Sequence, residues 1–283
     1  MLLREVDYVR PSTVEEAVAL LAGYEGARAL AGGQTIVNVM KSRAAAPDVL
    51  VDLADLDKLR TIGFSSEGLL EIGAMVTCAQ LVNSSEVEVA RPILAEVAGT
   101  IADVQVRNRG TVGGNVCVND PTNHLPPLLV ALEATFTIRG RERERTVPAD
   151  EFFLGVYLTA VGEGELLTKV NVPPSNDAGD GFAGVTIGKH GTYIVDAAAT
   201  VSDDGVRIAL GCVAAAPVRA TAMEDSLAGS DFSEQSVAAA AQGLGVTLDP
   251  PSDVHGSAEY RRHLAEVSAV RAVLQAAGRR KGA

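Results

Sequence analysis

The sequence predicts a mixed α+β protein built in three consecutive parts, residues 1–55, 56–175 and 176–283. Three observations carry that expectation. Short apolar runs of strand length, bounded by Gly, Pro, Asn and Asp, alternate with amphipathic helical stretches over the first two parts. The last part turns to a hairpin followed by helices. Apolar residues make up 47% and charged residues 21% of the 283, ordinary usage for a folded chain that can hold two or three small subdomains.

The elements follow in order. Ser12-Thr13-Val14-Glu15 has capping-box spacing, and Val14, Ala17, Val18 and Leu21 then share one helical face before Gly23. A strand over Ala27–Ala31 runs into Gly32-Gly33-Gln34-Thr35, and a second apolar run, Val49–Leu53, follows Pro47. The middle part opens on a hairpin, Leu59–Phe64 with Leu69–Gly73, turning at Ser65–Gly68. A helix starts near Pro92, a residue suited to the first helical position, and presents Ile93, Val97 and Ile101. It leads into a loop from Arg107 to Asn115. A helix around Pro127–Leu132 and strands at Thr135–Arg139 and Leu166–Val172 come next, closed by Pro173-Pro174. Ser175–Gly181, rich in Asn, Asp and Gly, reads as a linker. Beyond it, Tyr193–Val201 and Val206–Val213 form a hairpin, with Asp204-Gly205 between them, followed by helices at Ala220–Ala228, Ser233–Gly243 and Ser257–Ala277. The last helix sets Leu264, Val267, Val270/Arg271 and Leu274 at near-helical spacing.

Composition excludes several classes of function. With 24 basic and 36 acidic residues the formal charge is −12, which repels nucleic acid and anionic membrane surfaces. No stretch has the apolar length of a membrane span, and the charges of Arg4, Glu5, Asp7 and Arg10 leave no room for a signal-peptide core. A cytoplasmic protein is therefore expected. The three cysteines, Cys78, Cys117 and Cys212, lie far apart and fall short of the four thiolates of an iron–sulfur cluster. His190, His255 and His263 lack metal-like spacing and read as surface or capping residues, and no metal site is expected. Arg141-Glu142-Arg143-Glu144-Arg145 reads as a solvated polar patch, and Ser42 and Thr77 have no His/Asp partners for nucleophilic catalysis.

Two glycine-rich loops remain, Gly32–Thr35 and Gly113–Asn115. Glycine permits positive φ and close approach of the backbone, so each could aim N–H groups at a bound diphosphate. Taken singly, each reads equally well as a tight turn. Neither matches the G-x-G-x-x-G or Walker patterns.

Three runs together resemble a known family: Ala31-Gly32-Gly33-Gln34-Thr35, then Gln105 through Asn115, then Phe152-Phe153-Leu154-Gly155-Val156-Tyr157. Ala216–Ala220 and Tyr260–Leu264 resemble its last domain. This set, in this order, is similar to the FAD-binding medium subunits and domains of the molybdenum hydroxylases, the carbon monoxide dehydrogenase and xanthine dehydrogenase type. The resemblance implies a two-part FAD-binding domain of the vanillyl-alcohol-oxidase/PCMH type followed by a C-terminal α+β domain, a small antiparallel sheet with helices. It implies non-covalent FAD between the first two parts.

Carried over by position, one flavin loop is Leu30, Ala31, Gly32, Gly33, Gln34, Thr35, Ile36 and Val37, and the other is Thr111, Val112, Gly113, Gly114 and Asn115. Ile101, Leu167 and Tyr193 match positions near the flavin. Two departures stand out: His124 occupies a position where relatives often carry a carboxylate, and Val185 one where some carry a lysine. His124 reads equally as a flavin contact and as the cap of the helix beginning near Leu125. No role is assigned to Lys189 and His190.

The resemblance implies a flavin subunit that takes electrons from the [2Fe–2S] clusters of a small partner and passes them to an external acceptor. The molybdenum cofactor resides on a large partner, and the assembly is a dimer of heterotrimers. The rival readings are a nucleotide-binding interaction module without redox turnover and a self-sufficient flavin oxidase. The latter would need a further substrate domain.

Overall fold

The computed structural model describes residues 3–188 and 192–280. In the first body, β1 (Asp7–Val9), β2 (Ala27–Leu30) and β3 (Val49–Asp52) form a parallel sheet with β3 in the centre. The crossover helix α1 (Val14–Gly23) buries Ala17, Val18 and Leu21 against it. Its cap sits one residue later than the capping-box spacing suggests. Thr13 Oγ1 accepts from the Glu16 N–H at 3.1 Å, and Glu16 reaches back to the Ser12 N–H at 2.7 Å. The glycine run after β2 opens directly into α2 (Ile36–Lys41).

The second body is a five-stranded antiparallel sheet. β4 (Ile62–Phe64) and β5 (Leu70–Gly73) form the expected hairpin, while Leu59 belongs to the 3₁₀ turn before it. Five short helices follow: α3 (Cys78–Val82), α4 (Ser85–Ala90), α5 (Pro92–Thr100), α6 (Val104–Arg109) and α7 (Val112–Val118). The stretch read as a loop from Arg107 to Asn115 is thus mostly helical. Asp103 accepts from the Val106 N–H and Thr111 from the Gly114 N–H, and these caps offset the poor helix propensity of Gly113-Gly114. After α8 (Leu125–Ala131), β6 (Thr135–Arg139) pairs with β7 (Glu144–Pro148), and α9 (Ala149–Phe152) leads into the small hairpin of β8 (Phe153–Gly155) and β9 (Leu158–Thr159). The last strand, β10 (Leu166–Val172), enters the middle of the sheet between β5 and β6. Phe136 stacks on Phe152 at 3.9 Å, and both are fully buried.

The third body is an antiparallel sheet of β11 (Gly179–Thr186), β12 (Tyr193–Ser202), β13 (Gly205–Gly211) and β14 (Val218–Arg219), with α10 (Thr221–Ser226), α11 (Glu234–Ala240) and the long α12 (Ala258–Arg279). One sequence expectation fails here. Gly179–Gly181, read as linker, begins a strand. The glycines serve contact: a Cβ at Gly179 would lie 2.0 Å from the Ala276 carbonyl oxygen, and one at Gly181 2.0 Å from that of Ala272. The buried stripe of α12 is correspondingly small, with Ala265, Ala269, Ala272 and Ala276 beside Leu264 and Val273. Val267, Val270 and Leu274 flank it half-buried, and Arg271 is exposed. Strand and helix backbones approach closely because neither carries bulk at the contact.

A buried ion pair joins the second and third bodies. Arg91, between α4 and α5, donates to both Asp180 oxygens at 2.6 and 2.8 Å and to the Pro173 carbonyl at 2.8 Å. Thr200 completes the set with a bond to Asp180 at 2.9 Å. Among the described residues no helix is long and apolar enough to cross a membrane.

Candidate functional site

The two glycine segments meet, and they meet through backbone. A Cβ at Gly32 would stand 2.0 Å from the Arg109 carbonyl oxygen, so the first loop lies flat on the end of α6. Gly114 approaches Ala31, whose Cβ would be 3.7 Å from an added methyl. Around this seam lie two adjoining cavities of about 450 and 520 Å³, which share Ala31, Gly32, Gly33, Gln34 and Thr111. Cavities of this size are typical of cofactor sites.

The two loops differ in what their main chains offer. Among the described residues no hydrogen bond uses the N–H of Gly32, Gly33, Gln34, Thr35 or Ile36. Gly33 adopts φ +73°, the left-handed conformation that glycine tolerates, and Thr35 caps α2 without a side-chain bond. Five consecutive donors at the start of a helix, with Lys41, Arg60 and Arg109 lining the same cavity, suit an anion.

The second loop is different, which corrects the expectation of two equivalent nests. The Val112 N–H donates to Val76, Gly113 to Ala74, Gly114 to the Thr111 hydroxyl and Asn115 to the Thr111 carbonyl. None of these N–H groups is free, and neither glycine has positive φ. Gly113 is needed for packing, since a Cβ there would lie 2.6 Å from both the Cβ and the carbonyl oxygen of Ala74. Asn115 lines the second cavity, and its side-chain Oδ1 is buried without a partner. Its carbonyl accepts from Asn123 Nδ2 at 3.0 Å.

Leu30 and Val37 line the first cavity and Thr35, Ile36, Ile101, Gly113, Gly114, Asn115 and Leu167 the second. Leu167 sits at a register shift in β10, where the bulge re-aims the strand. Three residues of the expected set do not line either cavity. Val112 is in the core behind the loop. His124 is buried and packs edge-on against the ring of half-buried Tyr193, centroids 4.5 Å apart. Although it stands at the start of α8, His124 makes no side-chain cap bond, so the capping reading fails; Pro126 and Pro127 need no N–H partner there. Its Nδ1 faces Asp196 Oδ2 at 3.6 Å. Lys189, His190 and Gly191 lie outside the described residues. His255 and His263 are exposed, and Thr77 is the cap of α3.

Sequence reasoning missed several cavity residues, among them Met75, Cys78, Asn123, Val161 and Glu165. Asn123 carried a signal, an amide two residues before the apolar Leu125-Pro126-Pro127 helix start. The others are turn and loop residues, with Cys78 at the start of α3, that only the fold brings together. Burial pushes the Cys78 thiol up to about 11, so it presents no thiolate to the cavity at neutral pH. One end of the combined cavity is thus cationic and rich in N–H donors. The other is walled by Ile101, Val106, Val118 and Leu167. A dinucleotide with a charged diphosphate and a flat aromatic ring fits that division.

Comparison with known proteins agrees. Residues 4–175 match the family model described as the FAD binding domain in molybdopterin dehydrogenase. Residues 181–276 match the carbon monoxide dehydrogenase flavoprotein C-terminal domain. The chain is 38% identical over 268 residues to the carbon monoxide dehydrogenase medium chain of Hydrogenophaga pseudoflava, covering 92% of each. It is 34% identical over 286 residues to the nicotine 6-hydroxylase medium subunit of Paenarthrobacter nicotinovorans, covering 99% of this chain and 100% of that one. A chain in the crystal structure of the Hydrogenophaga pseudoflava carbon monoxide dehydrogenase lacking the Mo-pyranopterin moiety superposes with a TM-score of 0.95 at 36% identity, over 99% of this chain and 100% of that one. A family model spanning more than half of the sequence and relatives matched over nearly its whole length show that the chain belongs to the FAD-binding medium subunits of the molybdenum hydroxylases.

Proposed function

We propose that this chain is the electron outlet of its complex. It holds FAD across the joined cavities, receives electrons from the [2Fe–2S] clusters of a small partner subunit, and delivers them to an external acceptor. The substrate is hydroxylated at a molybdenum cofactor on a large partner, in a cytoplasmic dimer of heterotrimers. The observation that carries this reading is the asymmetric cavity, with unpaired main-chain donors at one end and an apolar wall at the other.

In this reading Gly32 through Ile36 hold the diphosphate by their N–H groups, with Leu30, Ala31 and Val37 supporting that loop. Asn115 supplies a hydrogen-bond acceptor, Thr111, Gly113 and Gly114 form the facing wall, and Ile101 and Leu167 exclude water from the ring. Val112, His124 and Tyr193 act from behind the wall. When bound, FAD supplies an isoalloxazine able to exchange electrons singly or in pairs; the protein sets geometry, potential and access. The domain limits that follow are 1–55 and 56–175 for the two FAD-binding parts and 176–283 for the C-terminal part.

Co-purification with tagged chain tests the reading. The expected result is a yellow complex of three different subunits in which the isolated chain holds FAD alone. A chain that binds adenosine diphosphate as tightly as FAD and recruits no metal-containing partner would overturn it.

A further inference from the structure

The C-terminal body carries a carboxylate in an unusual place. Asp196 lies in β12 within the otherwise apolar run Ile194 to Ala199, has no exposed surface, and leaves both side-chain oxygens without a hydrogen-bond partner. The fold makes room for it: a Cβ at Gly211 would stand 2.0 Å from Asp196 Oδ1. Gly184 likewise clears space for the ring of Tyr193, 2.6 Å from where its Cβ would be. The cation that could neutralise Asp196 looks elsewhere. Arg261 donates to the carbonyls of Ile194 and Cys212 and to the Asp253 carboxylate. The polar groups facing Asp196 are the main chain of Gly211 and the ring of His124, whose Nδ1 is itself buried and unpartnered at 3.6 Å.

A lone anion in such a place is costly, and so is a lone cation. One proton between the two groups leaves no net charge, whether it sits on oxygen or on nitrogen. Burial pushes the Asp196 carboxyl up, and the facing imidazole opposes that shift in part. The other titratable groups around the pair are Tyr193 on β12, Cys212 after β13, Arg261 on α12 with its partner Asp253, and Asp120, which accepts from the Tyr157 hydroxyl.

His124 is also the neighbour of Asn123, whose amide donates to the Asn115 carbonyl. The connection therefore runs from Asp196 through His124 and Asn123 to the side wall of the cavity. We propose that Asp196 is a positioning residue, forming with His124 a buried one-proton pair that holds the Asn123–Asn115 wall of the cofactor cavity from the C-terminal domain. This rests on the assignment of that cavity to FAD. As pH rises the shared proton leaves, an uncompensated carboxylate remains behind the wall, and cofactor affinity falls.

Two measurements on the full chain test this. The first needs no cofactor: nuclear magnetic resonance of the apoprotein with isotope-labelled histidine should show a His124 Nδ1–H signal that Asp196→Asn shifts, as direct contact between the two side chains requires. The second is FAD affinity against pH. The wild type should weaken by about tenfold as pH is raised from neutral into the alkaline range, the equivalent of one unit of proton affinity. Asp196→Asn keeps an acceptor oxygen but has no proton to lose, so it should bind like wild type at pH 7 and show a flat profile. His124→Gln leaves the Asp196 carboxyl able to lose its proton, so its profile should stay sloped, and adding Asp196→Asn to it should flatten that slope. An Asp196→Asn chain that retains the wild-type pH profile overturns the positioning role while leaving the FAD assignment intact. A wild type that shows the Nδ1 proton yet takes up no FAD removes the cofactor assignment and the positioning role together.

Discussion

Gly32→Ala is the sharpest perturbation of the cofactor cavity. The new methyl would stand 2.0 Å from the Arg109 carbonyl oxygen and 2.9 Å from the Gly110 Cα, backbone atoms that no rotamer change can move. To reach ordinary contact at 3.4 Å the loop must retreat by about 1.4 Å. Overpacking of this kind costs about 1–3 kcal/mol of stability. The retreat also tilts the unpaired N–H groups of Gly32 through Ile36. Losing one or two hydrogen bonds to a charged group, at about 1.5–3 kcal/mol each, weakens binding by about 3 kcal/mol, or roughly a hundredfold. Titration of apoprotein into FAD, followed by flavin fluorescence, reads the affinity, and thermal denaturation of the apoprotein reads the stability. Gly23→Ala, with nothing within 4 Å of the added Cβ, is the matched control: at this helical position it should leave FAD affinity unchanged and melting unchanged or slightly raised. A Gly32→Ala chain with wild-type melting and FAD affinity within about threefold of wild type would refute the donor-loop reasoning, since that difference is only about 0.7 kcal/mol.

Asp180→Asn should destabilise the chain by about 3–5 kcal/mol, because it leaves the buried Arg91 guanidinium without its counter-charge; chemical denaturation would show it, and an unchanged midpoint would mean that the pair contributes nothing. The bond from Arg145 holds the Glu165 carboxyl below its ordinary range. Its stabilisation is therefore present above the unfolded carboxyl value of about 4.3 and lost as pH falls through the lower folded value, and for this partly exposed pair it stays below about 1 kcal/mol. Acid titration of wild type against Glu165→Gln checks the sign, and a variant that loses stability in acid as steeply as wild type contradicts it. The isolated chain, loaded with FAD, should pass electrons from a chemical reductant to a dye yet hydroxylate no organic compound until both partners are restored. Hydroxylation by the chain alone would overturn the division of labour.

Much of the fold was legible where side-chain chemistry is local. Thr135–Arg139 and Leu166–Val172 are strands with those limits, because β-branched and apolar residues run unbroken between turn signals. The short helices were hidden because their starts depend on single caps. Asp103 and Thr111 each satisfy one N–H, a signal too slight beside the breaking tendency of the glycines that follow. The first glycine loop, legible either as a tight turn or as a donor array, leaves its N–H groups without partners among the described residues. The second was misread, because sequence cannot distinguish a glycine that frees an N–H from one, like Gly113, that lets a helix touch Ala74. The same ambiguity turned Gly179–Gly181 into a linker. Asp196 went unnoticed inside a strand run, although a single carboxylate in an otherwise apolar stretch is the kind of local conflict that marks a site.

The account stands most directly on the flavin content of the purified chain. It predicts a yellow protein with bound-flavin absorbance that releases one unmodified FAD per chain on denaturation, since the buried Cys78 thiol lining the cavity offers no reactive thiolate. A colourless chain that takes up no FAD on incubation, or a flavin that stays with the precipitated polypeptide, would contradict it.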